Sequence, residues 1–150
     1  IAEFPANSKA LVDHELLDRW ERLESLRETV NFVLEKLRNE KIVGTSLEAA
    51  VHIQANGRTQ ELIERYKDEL PTLFITSEVT IESTNDLPTS ADVAQTAGVE
   101  FSENGGSAFV TARRSSGIKC QRCWRYVPSV STDEPTDLCT RCIEALAEKT

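Results

Sequence analysis

All four cysteines of the chain fall in its last 31 residues, as Cys120-Gln121-Arg122-Cys123 and Cys139-Thr140-Arg141-Cys142 with fifteen residues between the pairs. This C-x2-C-x15-C-x2-C spacing reads as a zinc site. Two residues between cysteines let a tight turn aim both sulfurs at one ion, and two such knuckles complete a tetrahedron. Four thiolates fill the coordination sphere, so no position is left for water and the ion is expected to be structural, not catalytic. A region this short has too little apolar surface to fold unaided, and metal binding would supply much of its folding free energy. Two disulfides or an iron–sulfur cluster are the competing readings. Nothing marks the chain as secreted, which weighs against disulfides. The paired spacing also matches a zinc ribbon better than common cluster patterns.

Charge narrows the class of partner. The net charge of −8 argues at first against nucleic acid, because phosphate binding needs clustered Lys and Arg. The distribution points the other way: between Asn104 and Thr132 there is no Asp or Glu, while Arg113, Arg114, Lys119, Arg122 and Arg125 place five positive charges in 29 residues. Arg122 and Arg141 occupy equivalent positions in the two knuckles. Trp124, Arg125 and Tyr126 follow the first knuckle directly. Cations and flat rings beside a rigid scaffold are how proteins commonly hold RNA loops and single strands. The ordinary alternatives are a basic surface without a partner and, for Trp124 and Tyr126, packing as the ribbon's few core side chains, which a tiny metal domain favours over stacking. The candidate RNA contacts are therefore Arg113, Arg114, Lys119, Arg122, Trp124, Arg125 and Arg141.

Upstream, residues 13–43 read as one amphipathic helix, with Leu16, Trp20, Leu23, Val30, Val33, Leu34 and Leu37 recurring at three- and four-residue steps. Asp13, Glu15 and Asp18 suit its positive end, and Gly44 is placed to end it. Such a stripe needs partner helices to cover it. Alternation in Ala49, Val51 and Ile53 predicts a short strand, with a turn at Asn56-Gly57. A second helix is expected over residues 59–70, stopped by Pro71. Leu73-Phe74-Ile75-Thr76 and Val79-Thr80-Ile81 read as strands, and residues 83–96 as a loop. Val99-Glu100-Phe101 and Ala108-Phe109-Val110 flank Asn104-Gly105-Gly106, a hairpin signal.

Other chemistry is missing from the sequence. His14 and His52 are isolated and read as structural residues, and neither G-x-x-x-x-G-K-[ST] nor G-x-G-x-x-G occurs. No nucleophile-and-base set is present. No run approaches the roughly 18 apolar residues of a membrane span, and the first residues lack a signal-peptide pattern. The expectation is a soluble intracellular protein. Methionine is absent throughout, so the chain is expected to begin partway through a longer polypeptide.

Lys119-Cys120-Gln121-Arg122-Cys123-Trp124-Arg125-Tyr126 with Leu138-Cys139-Thr140-Arg141-Cys142 resembles the C-terminal zinc finger of bacterial-type isoleucyl-tRNA synthetases, and a similar finger occurs in formamidopyrimidine-DNA glycosylases. Leu26-Arg27-Glu28-Thr29-Val30-Asn31 through Glu35, Lys41-Ile42-Val43-Gly44-Thr45-Ser46-Leu47-Glu48-Ala49 and the opening Ala2-Glu3-Phe4-Pro5 are similar to the end of the synthetase's helical anticodon-binding domain, which the glycosylase does not have. Arg125 stands where many relatives carry histidine. The resemblance implies a parent enzyme that joins isoleucine to its tRNA using ATP, with ATP-handling and editing sites outside this chain. It implies zinc on Cys120, Cys123, Cys139 and Cys142 and contact with the anticodon arm of isoleucine tRNA. The expected fold is α+β: residues 1–45 ending a helical bundle, 46–115 a small α+β unit and 116–150 a zinc ribbon. The rest of the synthetase is the expected protein partner, in a monomer of the cytoplasm, chloroplast or mitochondrion. The alternatives are a DNA-repair glycosylase finger and an interaction module that packs on its own enzyme and meets no nucleic acid.

Overall fold

The structure is a computed structural model describing residues 12–88, 97–101 and 105–148. Helix α1 spans His14–Asn39. Asp13 caps it, its carboxylate accepting the Leu16 amide at 3.0 Å, which satisfies one of the unpaired donors of the first turn. The helix ends earlier than the apolar pattern predicts: Lys41 adopts φ 59° directly after the Glu40 C-cap, and the Ile42 and Val43 amides fold back onto the Leu37 carbonyl. Gly44 is therefore not the terminator.

Strands β1 (Ala49–Ala55), β2 (Glu78–Ser83), β3 (Ala97–Phe101) and β4 (Gly106–Arg114) form one sheet in the order β2-β1-β4-β3. β1 runs parallel to β2 and antiparallel to β4, and β3 pairs antiparallel with β4. The parallel pair needs a crossover. It is built from α2 (Gly57–Arg65) and α3 (Leu70–Leu73). Alternation in β1 sends Val51, Ile53 and Ala55 into the core, while His52 faces outward, its ring nitrogens 2.9 Å from Thr80 Oγ1 and 3.1 Å from Glu82.

Helix α1 lies across β4 and β3. Leu23, Leu26, Val30, Val33, Leu34 and Leu37 share one core with Val51, Ile53, Ile63, Leu70, Phe74 and Val110. The sheet, not a partner helix, covers most of the apolar stripe. Leu16 and Trp20, at the start of that stripe, remain exposed.

Two local expectations, at Pro71 and at residues 73–76, fail for physical reasons. The turn at Asn56-Gly57 leads β1 straight into α2: Asn56 is the N-cap, and Gly57 opens the helix at φ 53°. A side chain at Gly57 would place its Cβ 1.9 Å from the Gly105 carbonyl oxygen, so the position admits only glycine. Pro71 does not stop the second helix. It sits in the first turn of α3, where its missing N–H is no loss. Leu73-Phe74-Ile75-Thr76 is not a strand but the end of α3 and the turn after it; a four-residue apolar run does not distinguish strand from buried helix. Val79–Ile81 lies in β2, and the β3–β4 pairing joins Val99 to Ala108 as the hairpin signal predicts. Asn104 and most of the expected 83–96 loop lie outside the described residues.

The last segment carries β5 (Ile118–Lys119), antiparallel to β6 (Tyr126–Val127), and helix α4 (Thr140–Ala147). No helix among the described residues is long and apolar enough to cross a membrane.

Candidate metal centre

The two knuckles are made differently. The first is a turn in which the Trp124 amide donates to the Cys120 carbonyl and the Cys120 amide to the Arg125 carbonyl, both at 2.9 Å, which returns the chain from β5 into β6. Gly117 permits the close pass beside it, since a Cβ there would lie 2.8 Å from the backbone of Val127. The second knuckle is the start of α4: Cys139 is its N-cap, and the Cys142 amide donates to the Cys139 carbonyl at 2.9 Å.

All four sulfurs lie within 4.8 Å of one another. The Cys123 and Cys139 sulfurs are 3.7 Å apart, far from the roughly 2.05 Å of a disulfide. A tetrahedron with zinc–sulfur bonds of about 2.3 Å has edges of about 3.8 Å. The donor set and its spacing therefore fit one zinc ion, with Cys120, Cys123, Cys139 and Cys142 as the residues to hold it. Cys120, Cys139 and Cys142 are buried and Cys123 half-buried.

The local fields differ between ligands. Burial opposes ionisation of Cys120, but amides of Cys123, Cys139 and Arg122 donate to its sulfur and bring the thiol down to about 6. Burial dominates at Cys139 and pushes its thiol up to about 12, with the neighbouring sulfurs of Cys142, Cys123 and Cys120 adding to the rise. Four clustered thiolates need a cation among them, which is the role a bound metal fills.

Around the cysteines the ribbon has little else to bury: Leu138, with Val127, Val130 and Ile143 packed beside it. Trp124 is not part of that core. It stands 59% exposed, contrary to the packing expected of it, with the Lys119 ammonium 5.7 Å from its ring centroid. Arg122 and Arg141 are exposed, and no ion pair reaches either among the described residues. Arg113 and Arg114, at the end of β4, pair with Glu78 at 3.8 Å and Glu48 at 3.4 Å.

Arg125 does something sequence reasoning missed. Its guanidinium donates to Thr72 Oγ1 at 2.9 Å, fastening the ribbon to α3. Beside it the Tyr126 amide donates to Ser77 Oγ at 2.6 Å, and that hydroxyl donates to the Leu47 carbonyl at 2.5 Å. Thr72 and Ser77 carry no motif, so only the folded chain reveals them.

Residues 117–145 match the family described as the zinc finger found in FPG and IleRS. Over 92% of its length the chain is 36% identical to an isoleucine–tRNA ligase of Symbiobacterium thermophilum, and over 87% it is 41% identical to that of Gloeobacter violaceus. The chain belongs to the isoleucine–tRNA ligase family. The chloroplastic and mitochondrial ligase of Arabidopsis thaliana is 38% identical over 85% of the chain. The chain spans 14%, 12% and 12% of these three ligases' lengths, respectively. Such coverage, reaching far upstream of the finger, separates the ligases from glycosylases that share the finger alone.

Proposed function

We propose that this chain is the C-terminal, tRNA-contacting part of an isoleucine–tRNA ligase, in which one zinc ion on Cys120, Cys123, Cys139 and Cys142 fixes a cationic face toward the anticodon arm of isoleucine tRNA. The observation that carries the reading is the conjunction of a cysteine cluster spaced for zinc with Arg122, Trp124 and Arg141 exposed around it. The ion, when bound, supplies structure and no chemistry. Attachment of isoleucine using ATP belongs to the parent enzyme and to residues outside this chain.

Within the face the roles divide. Arg122 and Arg141, which no carboxylate pairs among the described residues, serve phosphates. Lys119 and Trp124 act as a pair, and Arg125 positions the ribbon through Thr72. Arg113 and Arg114 are partly neutralised by Glu78 and Glu48 and contribute less. Residues 1–45 are proposed to end the anticodon-binding bundle of the parent ligase. Leu16, Leu17, Trp20 and Phe32, exposed on α1, are the side chains that upstream helices would cover. The parent acts as a monomer in the cytoplasm or an organelle.

Arg122→Gln with Arg141→Gln, placed in the full-length ligase, tests the reading. Each phosphate-binding cation removed should lower the slope of log affinity against log salt by about one. Unchanged affinity for isoleucine tRNA, with an unchanged slope, would remove the ribbon from recognition. It would leave the ribbon as a module that packs on its own enzyme, for which the Arg125 and Tyr126 hydrogen bonds are the supporting observation.

A further inference from the structure

With zinc bound, all four cysteines are thiolates whatever their own acidity, because a coordinating thiol gives up its proton to the metal. Access and the amide hydrogen bonds their sulfurs accept then set them apart, since an N–H donor draws charge from sulfur and blunts its attack. Cys120 and Cys142 are fully buried and Cys139 is 7% exposed. The Cys120 sulfur accepts the Cys139 amide at 3.3 Å, and the amides of Arg122 and Cys123 also donate to it. The Cys139 sulfur accepts the Cys142 amide. Cys123 differs from all three. It is half-buried, in the turn that carries the exposed Trp124, and no amide–sulfur hydrogen bond reaches it among the described residues. Its sulfur lies 3.7 Å from that of Cys139, across the gap between the two knuckles. An accessible thiolate beside a second thiolate is the arrangement in which oxidation proceeds to a disulfide.

We propose that Cys123 is a modification site, the ligand of the metal centre that a hydroperoxide oxidises first, and that Cys139 resolves it into a Cys123–Cys139 disulfide that expels the zinc. The inference rests on the zinc-binding reading above. With hydrogen peroxide, the Cys123 thiolate attacks one peroxide oxygen. An S–O bond forms, the O–O bond breaks, and the departing hydroxide takes a proton from solvent to become water. The Cys139 thiolate then attacks the sulfenic sulfur. The S–S bond forms, the S–O bond breaks, and a second hydroxide leaves and is protonated. Two thiolates have lost two electrons in all, and one peroxide has gained them to give two waters. Cys139 is the better partner than Cys120, whose sulfur is occupied by three amides. Zinc is left with Cys120 and Cys142, two ligands of four, and dissociates as those thiolates take up protons. Because the ribbon leans on the ion for its folding, oxidation at one half-buried sulfur loosens the whole segment, and a thiol reductant with zinc reverses it.

The test treats the full-length, zinc-loaded ligase with limiting hydrogen peroxide, follows zinc release with a chromogenic chelator and maps the cysteines by mass spectrometry. Trypsin cuts after Lys119, Arg122, Arg125 and Arg141, so each cysteine falls in a peptide of its own. With dimedone present, the sulfenic adduct should fall on the Cys123 peptide. Without it, the Cys123 and Cys139 peptides should be joined as about one zinc per chain is lost, and dithiothreitol with added zinc should restore both. Cys123→His, which keeps a zinc ligand but has no sulfur to oxidise there, should hold its ion through the same treatment. A first adduct on any other cysteine, a disulfide within either knuckle, or zinc that stays bound after Cys123 is oxidised would overturn the proposal. A ligase isolated without zinc at these cysteines would overturn the zinc reading and this inference with it. Loss of zinc through the Cys123–Cys139 disulfide with unchanged affinity for isoleucine tRNA would uphold the modification site and remove the ribbon from RNA contact.

Discussion

Among the described residues, sixteen buried apolar side chains join α1 to the sheet and its crossover helices, whereas the ribbon's buried cluster is Cys120, Leu138, Cys139 and Cys142. Burying a leucine or isoleucine stabilises by about 1.5–3 kcal/mol, so the body distributes its stability over many side chains and tolerates the loss of any one. The ribbon has no such redundancy. Three of its four buried residues among those described are cysteines placed to hold one metal ion, on which its cohesion would be concentrated. The two regions then meet through polar bonds, Arg125 to Thr72 and Tyr126 to Ser77 to Leu47, and not through a shared core.

The sharpest way to break that comparison is to remove the metal. A structural zinc of this kind contributes on the order of 10 kcal/mol, so a strong chelator or Cys142→Ser should unfold the ribbon while α1 and β1 keep their hydrogen-exchange protection. Loss of protection in both regions at once would mean that the body depends on the ribbon. Next in size is Leu34→Ala at the centre of the body, expected to cost about 3 kcal/mol in denaturant unfolding and to leave zinc affinity unchanged. Ser77→Ala probes the junction: it strands the Tyr126 amide and removes a bond to the Leu47 carbonyl, and should cost about 1–2 kcal/mol. Exchange at Tyr126 should quicken while the cysteines still bind zinc. The smallest effect belongs to Ile75→Gly: Ile75 stands exposed at φ 57°, and relief of that left-handed backbone opposes glycine's extra chain entropy. A change in stability of less than about 1 kcal/mol is expected. A loss of several kcal/mol in thermal unfolding would show that Ile75 packs, and is not merely displayed.

What was legible beforehand follows from how local each signal is. The clustering of the four cysteines could be read because their fixed spacing encodes a geometry with few alternatives. β1, β2 and the β3–β4 hairpin were visible because alternation and turn chemistry are properties of adjacent residues. The start and apolar face of α1 were readable, but neither its end nor its partner, since an apolar stripe runs on past a helix terminus and records that it is covered and not by what. Pro71 was misplaced because the same residue that ends one helix begins another. Trp124 was expected inside because ribbons have little else to bury; it stands exposed on left-handed backbone, φ 64°, and a φ angle leaves no trace in composition. Ile75, Thr72 and Ser77 become informative only when the ribbon is folded against the body.

The strand order carries a consequence for synthesis. β1 can pair with β2 once the chain has been made through Ser83, but its other edge waits for β4, which ends at Arg114. Until then the most apolar strand of the sheet presents bare amides and carbonyls along one side, an invitation to pair with a neighbouring chain. A chain truncated before Gly106 should therefore self-associate under conditions where the chain through Thr150 stays dispersed, and light scattering of the two would show it.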